Sequence, residues 1–390
     1  MKFRGLRNFW SRATMATTSI LVIAQPSMAA EGYRLQQPAF GLMGGEMAST
    51  IEHHGFFGTA AASYGNSYKV VDNDGHRISS PGQVIPAPTG ALTGGAVPDG
   101  TYNVAIDTAS IDYEQNSAQF NLIVGYLFDT GIEGGRIVVS INQPLQTSSR
   151  EVSVGTQAVK VSPAPPENLP PALSAALNSV ATTVTDQLAS QQQELLDFHN
   201  HDATGLGDTN LGVVWAQNLR DNRLKIAGGI SLAIPNGEYE SDRGPNPGFN
   251  YYTTRLEALT TYSLGDNLKP DGTVFSGITV GGRMAYGWNS KNKDSDYKTG
   301  QFFNAEIAAE KVNGNFAFGV NVFALIQTTD DSGAGAPDMP FRYRAYGAGP
   351  FIAFKLPRRD IGLNFTYNST FSARNAQVAR VISLRLIKAW

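Results

Sequence analysis

Between Gln301 and Gln327 the apolar positions recur with a period of two. Phe303, Ala305, Ile307 and Ala309 alternate with Asn304, Glu306, Ala308 and Glu310, and Phe316, Phe318, Val320, Val322 and Ile326 share one parity against Asn315, Asn321 and Gln327. That is the period of strands, in which successive side chains point to opposite faces. Asn313-Gly314 between the two runs predicts a tight hairpin with both central residues at positive φ.

The same alternation recurs along the chain. A first strand is expected over Gly55 to Val70, with Phe56, Tyr64 and Tyr68 on one parity. Phe120 to Phe128, Ile137 to Ile141, Leu211 to Leu219, Leu224 to Ile234, Tyr252 to Leu264 and Val280 to Trp288 follow. Three more are expected near the C-terminus: Phe341, Tyr343, Ala345, Phe351 and Ala353 against Arg342, Arg344 and Tyr346; Ile361 to Tyr367; and Ile382 to Trp390. The stretch from Val71 to Gly100, with Pro81, Pro86, Pro88 and Pro98, is expected to be a loop with turns, not a domain.

Loop lengths sort these strands into a class. Connections at Ala373, Thr328, Asn289, Pro235, Leu145 and Val71 are mostly long, those at Pro357, Asn313, Gly265, Asn222 and Thr130 are short, and the two kinds alternate. Short turns at one end and long loops at the other are the signature of an outer-membrane barrel, and closure removes the unpaired edges that lipid cannot solvate. The expected fold is all-β: a single antiparallel transmembrane β-barrel of about 12 strands, with 10 or 14 as alternatives.

The N-terminus adds localisation. Lys2, Arg4, Arg7 and Arg12 precede the uncharged stretch Ala13 to Ala24, and Ser27-Met28-Ala29 offers a small-x-small cleavage site. Residues 1–29 therefore read as a secretory signal peptide, too short in apolar length for a membrane anchor. Residues 30–54 would be a periplasmic segment and 55–390 the barrel, in the outer membrane of a Gram-negative bacterium. The absence of Cys excludes a disulfide framework, and a formal charge of −3 gives no argument for nucleic acid. With 41 Gly, 15 Tyr, 20 Phe and 16% charged residues, the composition suits many strands with aromatics for interface belts.

One segment, 163–202, breaks the strand pattern. Prolines at 163, 165, 166, 170 and 171 precede Leu173, Leu177, Val180, Val184, Leu188, Leu195 and Phe198, spaced by threes and fours. This predicts an amphipathic helix in a long external loop, starting just past a proline entry. Its apolar stripe needs a surface: the barrel mouth, a neighbouring protomer, or the loop that it covers.

At the other end of the chain, Ile382, Leu384, Leu386 and the terminal Trp390 resemble the signal read by barrel-assembly machinery, with Lys388 as a departure. If the apolar faces meet lipid, the opposite parity lines the lumen. The candidates for a constriction are Arg255, Glu257, Arg283, Glu306, Glu310, Arg342, Arg344 and Arg385, joined by Arg136, Arg223 and Lys225. They would either sort solutes by size and charge or stiffen the barrel as an ion-pair network.

Sites of chemistry are not evident. Asp294, Asp296, Asp330 and Asp331 lack the twelve-residue calcium-loop pattern, and turn chemistry accounts for them. His199 and His201 beside Asp197 and Asp202 read as a solvated helix end, not a metal site. His53, His54 and His76, the remaining histidines, show no triad spacing, and no nucleophile elbow is present. No catalytic residue, metal or cofactor is expected, and the chain is not expected to be an enzyme.

Several segments resemble a known family. Pro235-Asn236-Gly237-Glu238-Tyr239, Gly248-Phe249-Asn250, Asn289 to Gly300, Thr329 to Ala336 and Gly347-Ala348-Gly349-Pro350, with Gly205-Leu206-Gly207-Asp208 upstream, are similar to successive signatures of the SphA-like family, also labelled "MetA-pathway of phenol degradation". The match is close from about Gly205 to Trp390, looser from Gly55 to Leu145, and the helical insert departs from it. The resemblance implies an outer-membrane barrel tied to uptake of aromatic or other hydrophobic compounds. The expected function is diffusive passage of small hydrophobic or aromatic solutes through a monomeric or loosely oligomeric barrel. Its partners would be outer-membrane lipid, the barrel-assembly machinery and the solutes. The alternatives are a non-transporting surface or structural barrel or adhesin, and an outer-membrane hydrolase.

Overall fold

The structure, a computed structural model, describes residues 30–37, 55–87, 89–90, 95–129, 135–163, 168–220, 223–264, 267–268, 274–336, 341–356 and 361–390. The signal-peptide expectation lies outside these residues, as do most of the short turns. The described residues divide into two compact units: those within 27–77, 113–151 and 199–390 form one, and those within 78–112 and 152–198 the other.

Twelve long antiparallel strands build the larger unit among the described residues. They are β1 (Gly55–Val71), β2 (Ala109–Asp129), β3 (Arg136–Val154), β4 (Thr209–Leu219), β5 (Leu224–Ile234) and β6 (Thr253–Ser263). β7 (Val274–Asn289), β8 (Phe302–Asn313), β9 (Phe316–Gln327), β10 (Arg344–Leu356), β11 (Ile361–Arg374) and β12 (Ala376–Ala389) complete the set. Each strand pairs with its chain neighbours, and β1 pairs with both β2 and β12, Phe57 lying opposite Gly125 on one side and Ala389 on the other. Among the described residues the sheet is thereby a closed barrel in which each of the twelve strands has a neighbour on both sides.

Parity sorts the two faces as the alternation predicts. Ile307, Phe316, Phe318, Val320, Val322, Leu256, Met284, Leu384 and Leu386 are exposed on the outside, while Asn304, Glu306, Glu310, Asn321, Thr253 and Arg255 are buried inside. Apolar side chains facing outward all round a closed sheet suit lipid, and the buried polar parity faces the lumen. An aromatic rim marks the short-turn end, where the Phe316 and Phe354 rings lie 4.6 Å apart and Trp390 is exposed.

Strand β10 departs from the expected parity. Phe351 is 2% exposed and Ala345 4%, so these face inward, while Arg344, Pro350 and Ile352 face outward. A bulge between Tyr346 and Gly347 shifts its register against β11. The inward Phe351 is accommodated because its cross-strand partner is Gly319. The same device recurs at Phe57 opposite Gly125, Phe302 opposite Gly287 and Phe323 opposite Gly347. In each pair the ring occupies the space that the glycine lacks a side chain to fill: a Cβ at Gly347 would stand 2.1 Å from the Phe323 ring. An aromatic covering a cross-strand glycine restores packing where the strand is weakest.

Two turns also differ from expectation. Asn313 pairs with Phe316, so the two-residue loop is Gly314-Asn315, and Gly314 takes φ 63° while Asn313 stays in the strand. Positive φ at the first central position alone is the turn that places Gly there. Between β11 and β12 only Asn375, at φ 46°, lies outside the strands, but their mutual pairing stops at Ser369 opposite Arg380, and the residues between pair outward with β10 and β1.

The smaller unit accounts for the segment that broke the strand pattern. Helix α2 (Pro171–His199) follows a short N-terminal helix α1 (Ala30–Tyr33) in chain order, and Pro171 occupies its first turn, where no N–H is needed. Its stripe does not need the barrel mouth or a second protomer. Val180, Val184 and Leu188 pack with Ile85, Val104, Ile106 and Val159, and Leu173 and Leu177 with Ala87, Tyr102 and Val161. Those partners lie on, or next to, the strands of an antiparallel three-stranded sheet of Gln83–Pro86, Asn103–Ile106 and Val159–Ser162. The Pro-rich stretch Val71 to Gly100, expected to be only a loop, thus supplies one strand, Gln83–Pro86, to a small α/β unit.

The glycine pairs make a test. Gly347→Ala should lower the temperature at which the folded barrel loses its compact electrophoretic mobility, on the scale of 1–3 kcal/mol typical of overpacking. Adding Phe323→Leu to the same chain should restore part of the loss.

Candidate functional site

The lumen-facing parity brings together charges that lie far apart in sequence. Arg255, 3% exposed on β6, directs its guanidinium to two other strands and to the N-terminal segment. Nε donates to Ser231 Oγ at 2.9 Å, Nη2 to Asn210 Oδ1 at 2.6 Å and Nη1 to the Gln36 carbonyl at 3.0 Å. Glu257, two residues on, lies 3.6 Å from Arg255 Nε and accepts from Ser231. On the neighbouring pair of strands Arg283 stands opposite Glu306 with 3.9 Å between Nη2 and Oε2. Glu310, Lys225 and Arg385 are also buried on the inward parity. Buried guanidinium and carboxylate groups remain charged only where partners replace water, so opposed signs on adjacent strands stiffen the wall as well as polarise the passage.

Two of the expected lumen residues are not there. Arg342 precedes β10 and pairs with Asp330, its Nε donating at 2.7 Å on the exposed surface. Arg344 is exposed on the outer face, because β10 carries the opposite parity to the one expected. Arg136, also anticipated in the lumen, pairs with Asp129 at 3.0 Å. Ile382, Leu384 and Leu386 lie on the outer face, and Trp390 is exposed at the rim.

The residues that the alternation missed are those of the N-terminal segment. Positions 30–37 were expected to precede the barrel in the periplasm, but they lie at the long-loop end of its lumen. Leu35 packs with Phe302, Leu325, Tyr343, Ala345 and Ala376 from the inner faces of four strands and the approach to β10. Asn304 Nδ2 donates to Gln37 Oε1 at 2.9 Å, Thr253 Oγ1 donates to Gln36 Oε1, and Gln36 Nε2 donates to Asp208 Oδ2 at 2.7 Å. Arg34 stacks on Phe249 at 4.3 Å and donates to the Asn246 carbonyl. A stretch of eight residues without strand or helix periodicity gives no pattern to find.

Asp208 is the centre of this mouth. Besides Gln36 it accepts from the backbone N–H of Gly237 at 2.9 Å and of Phe249 at 3.0 Å. Burial raises its pKa, opposed by those N–H donors and by Arg34. The loops can approach this closely because they lack side chains at the contact: a Cβ on Gly237 would stand 2.8 Å from the Asp208 amide nitrogen, and one on Gly248 would stand 2.9 Å from the Gly237 carbonyl carbon. The next loops are clasped in the same way. Asp331 accepts from Tyr297 Oη at 2.6 Å, Gly300 N at 2.7 Å and Gln327 Nε2 at 2.7 Å, and Tyr297–Lys298 pairs with Ser332–Gly333.

His199 is not a solvated helix end. It is buried at 7% exposure, its Nδ1 accepting from Arg150 Nη1 at 3.1 Å, so the ring carries its proton on Nε2. Burial first, and then the Arg150 charge, lower its pKa to about 4. Among the described residues the one grouping with metal-ligand proximity is Asp72, Asp74 and His76, where Asp72 Oδ1 accepts from the Asp74 and His76 amides as a turn does.

Comparison with known proteins agrees with this architecture. The sequence profile of the family described as "Putative MetA-pathway of phenol degradation" matches residues 93–386. An outer membrane channel from Pseudomonas putida F1 superposes with a TM-score of 0.60 at 12% identity, over 88% of this chain and 98% of that one. That likeness is one of fold. A FadL homologue from Pseudomonas aeruginosa gives a TM-score of 0.35 at 8% identity, covering 88% of this chain and 91% of its own. The CymD monoaromatic hydrocarbon channel gives 0.35 at 10% identity, covering 95% and 99%. No curated protein matches the chain by sequence.

Asp208→Asn would present an amide NH2 to at least one of the donors that the carboxylate now satisfies. The expected loss is about 1–3 kcal/mol of stability at the mouth, read as earlier thermal unfolding together with faster proteolysis of the N-terminal segment. His199 gives a pH dependence. Its folded pKa lies below the unfolded value of about 6.5, so the unfolded chain binds more protons and stability falls as pH drops from about 6.5 towards about 4. His199→Gln keeps the acceptor for Arg150 but cannot titrate, so melting curves across that window should flatten by up to about 1 kcal/mol per pH unit.

Proposed function

Because the chain belongs to the MetA-pathway of phenol degradation family, we propose that it is an outer-membrane channel for the diffusive uptake of small hydrophobic or aromatic solutes. The observation that carries this proposal is the closed barrel with an apolar outer face and a lumen lined by opposed charges and amides. A wall of that kind polarises a passage for solutes as well as stiffening the barrel. The family description supplies the aromatic class of solute. The buried segment Tyr33–Gln37 narrows the route at the long-loop end, so the effective path for a solute runs beside Arg255, Asp208 and Phe249. The signal peptide over 1–29 delivers the chain to the periplasm, the terminal strand serves assembly, and the passage needs no energy coupling. Residues 33–37 belong to the passage and not to a separate periplasmic part.

Liposome swelling with the refolded protein tests this. Phenol-like solutes should enter faster than sugars of equal size, and Arg255→Gln, which releases the Gln36 carbonyl, should raise flux and lower discrimination. An intact barrel that shows neither swelling nor bilayer conductance would overturn the channel proposal in favour of a surface or structural barrel.

A further inference from the structure

The arginines that the lumen does not use are arranged on the outside. Arg344 on β10 and Arg374 on β11 are direct cross-strand partners, both exposed. Like charges opposite one another in an antiparallel pair are destabilising when nothing lies between them. Neither forms an ion pair with a carboxylate among the described residues, whereas Arg342 nearby is neutralised by Asp330. Arg380, on the adjacent β12, is exposed on the same face and stacks on Tyr68 at 4.9 Å. Three cations thus stand on three consecutive strands.

Their height on the barrel says what meets them. Arg344 lies ten residues above Phe354 of the aromatic rim, on the same parity, and Arg380 ten above Trp390. Ten residues of a tilted strand rise about 25 Å, the height of the apolar band of a transmembrane barrel. Tyr346 and the exposed Phe371 stand at the same level, as interfacial aromatics do. The cluster therefore sits where the apolar band ends on the long-loop side.

We propose that Arg344, Arg374 and Arg380 form an outward-facing docking site for the phosphate groups of an anionic glycolipid in the outer leaflet. The inference rests on the outer-membrane placement proposed above. A phosphate between Arg344 and Arg374 converts their repulsion into two charge-assisted contacts, and guanidinium groups suit phosphate oxygens in paired geometry. Arg380, held by Tyr68, meets a second phosphate along the rim.

The test uses the full chain, refolded in detergent and free of lipid, with lipopolysaccharide as the probe. Added lipopolysaccharide should raise the unfolding temperature of the wild type, and dephosphorylated lipopolysaccharide or millimolar inorganic phosphate should not. The Arg344→Gln/Arg374→Gln/Arg380→Gln variant should bind about 100-fold more weakly, on the scale of basic side chains at an anionic surface. Its unfolding temperature without lipid should match or exceed that of the wild type, since repulsion is removed. Equal binding by the variant, or equal stabilisation by the dephosphorylated lipid, would overturn the lipid site. Stabilisation by inorganic phosphate alone would make it a free-anion site and overturn the lipid assignment. Solute swelling by the same preparations separates the two proposals: flux without lipid binding removes the docking site and leaves the channel standing.

Discussion

A backbone that crosses lipid must satisfy every N–H and C=O within itself, and the architecture of the larger unit answers that requirement. A sheet meets it only when its first and last strands pair, as β1 and β12 do from Phe57–Ala389 to Val71–Ala376. Closure then fixes the rest. Each strand has one face for lipid and one for the lumen, so a period-two sequence becomes an apolar exterior and a polar interior. Connections are divided between two ends, and irregular chain can be spent only beyond the apolar band.

Curvature adds a second constraint. A wall that bends around a small lumen brings inward side chains close together, and four phenylalanines enter the interior only opposite glycines. These pairs explain how an inward apolar ring coexists with buried Glu306 and Glu310: each ring lies flat along the wall over a missing side chain instead of reaching across. They also explain β10. Its pairing with β9 runs without a shift from Phe354 to Arg344, so the parity that seats Phe351 over Gly319 also turns Ala345 in and Arg344 out.

The mouth is held by polar contacts among loops that share no strand. Asp208 gathers Gln36, Gly237 and Phe249, and Asp331 gathers Tyr297, Gly300 and Gln327. Apart from Gly347–Pro350, which lies on β10, the segments that resemble family signatures are in or beside these same loops. Their glycines and acids are explained by close backbone approach around two carboxylates, and the calcium pattern they lack is not needed. Arg255 joins this mouth to the barrel wall, since one guanidinium bonds strands β4 and β5 and the N-terminal segment.

What the sequence by itself determined is what depends on local periodicity. The alternation of side chains, the spacing of Leu173 to Leu188 and the sorting of loop lengths were enough for a barrel with a helical insert, because period and turn chemistry are properties of neighbouring residues. Arg255, Glu257, Arg283, Glu306, Glu310 and Arg385 fell on the buried parity for the same reason. Tertiary structure alone decided what depends on partners distant in the chain. Phe351 and Arg344 take the faces opposite to those expected because Phe351 packs over Gly319 of the neighbouring strand, a partner that the pattern within one strand cannot register. The helix finds its surface in Ile85 and Val104, far upstream, and the N-terminal residues enter the lumen because Asp208, Thr253 and Asn304 offer them hydrogen bonds there. Such contacts leave no period in the sequence, so only the closed barrel brings them together.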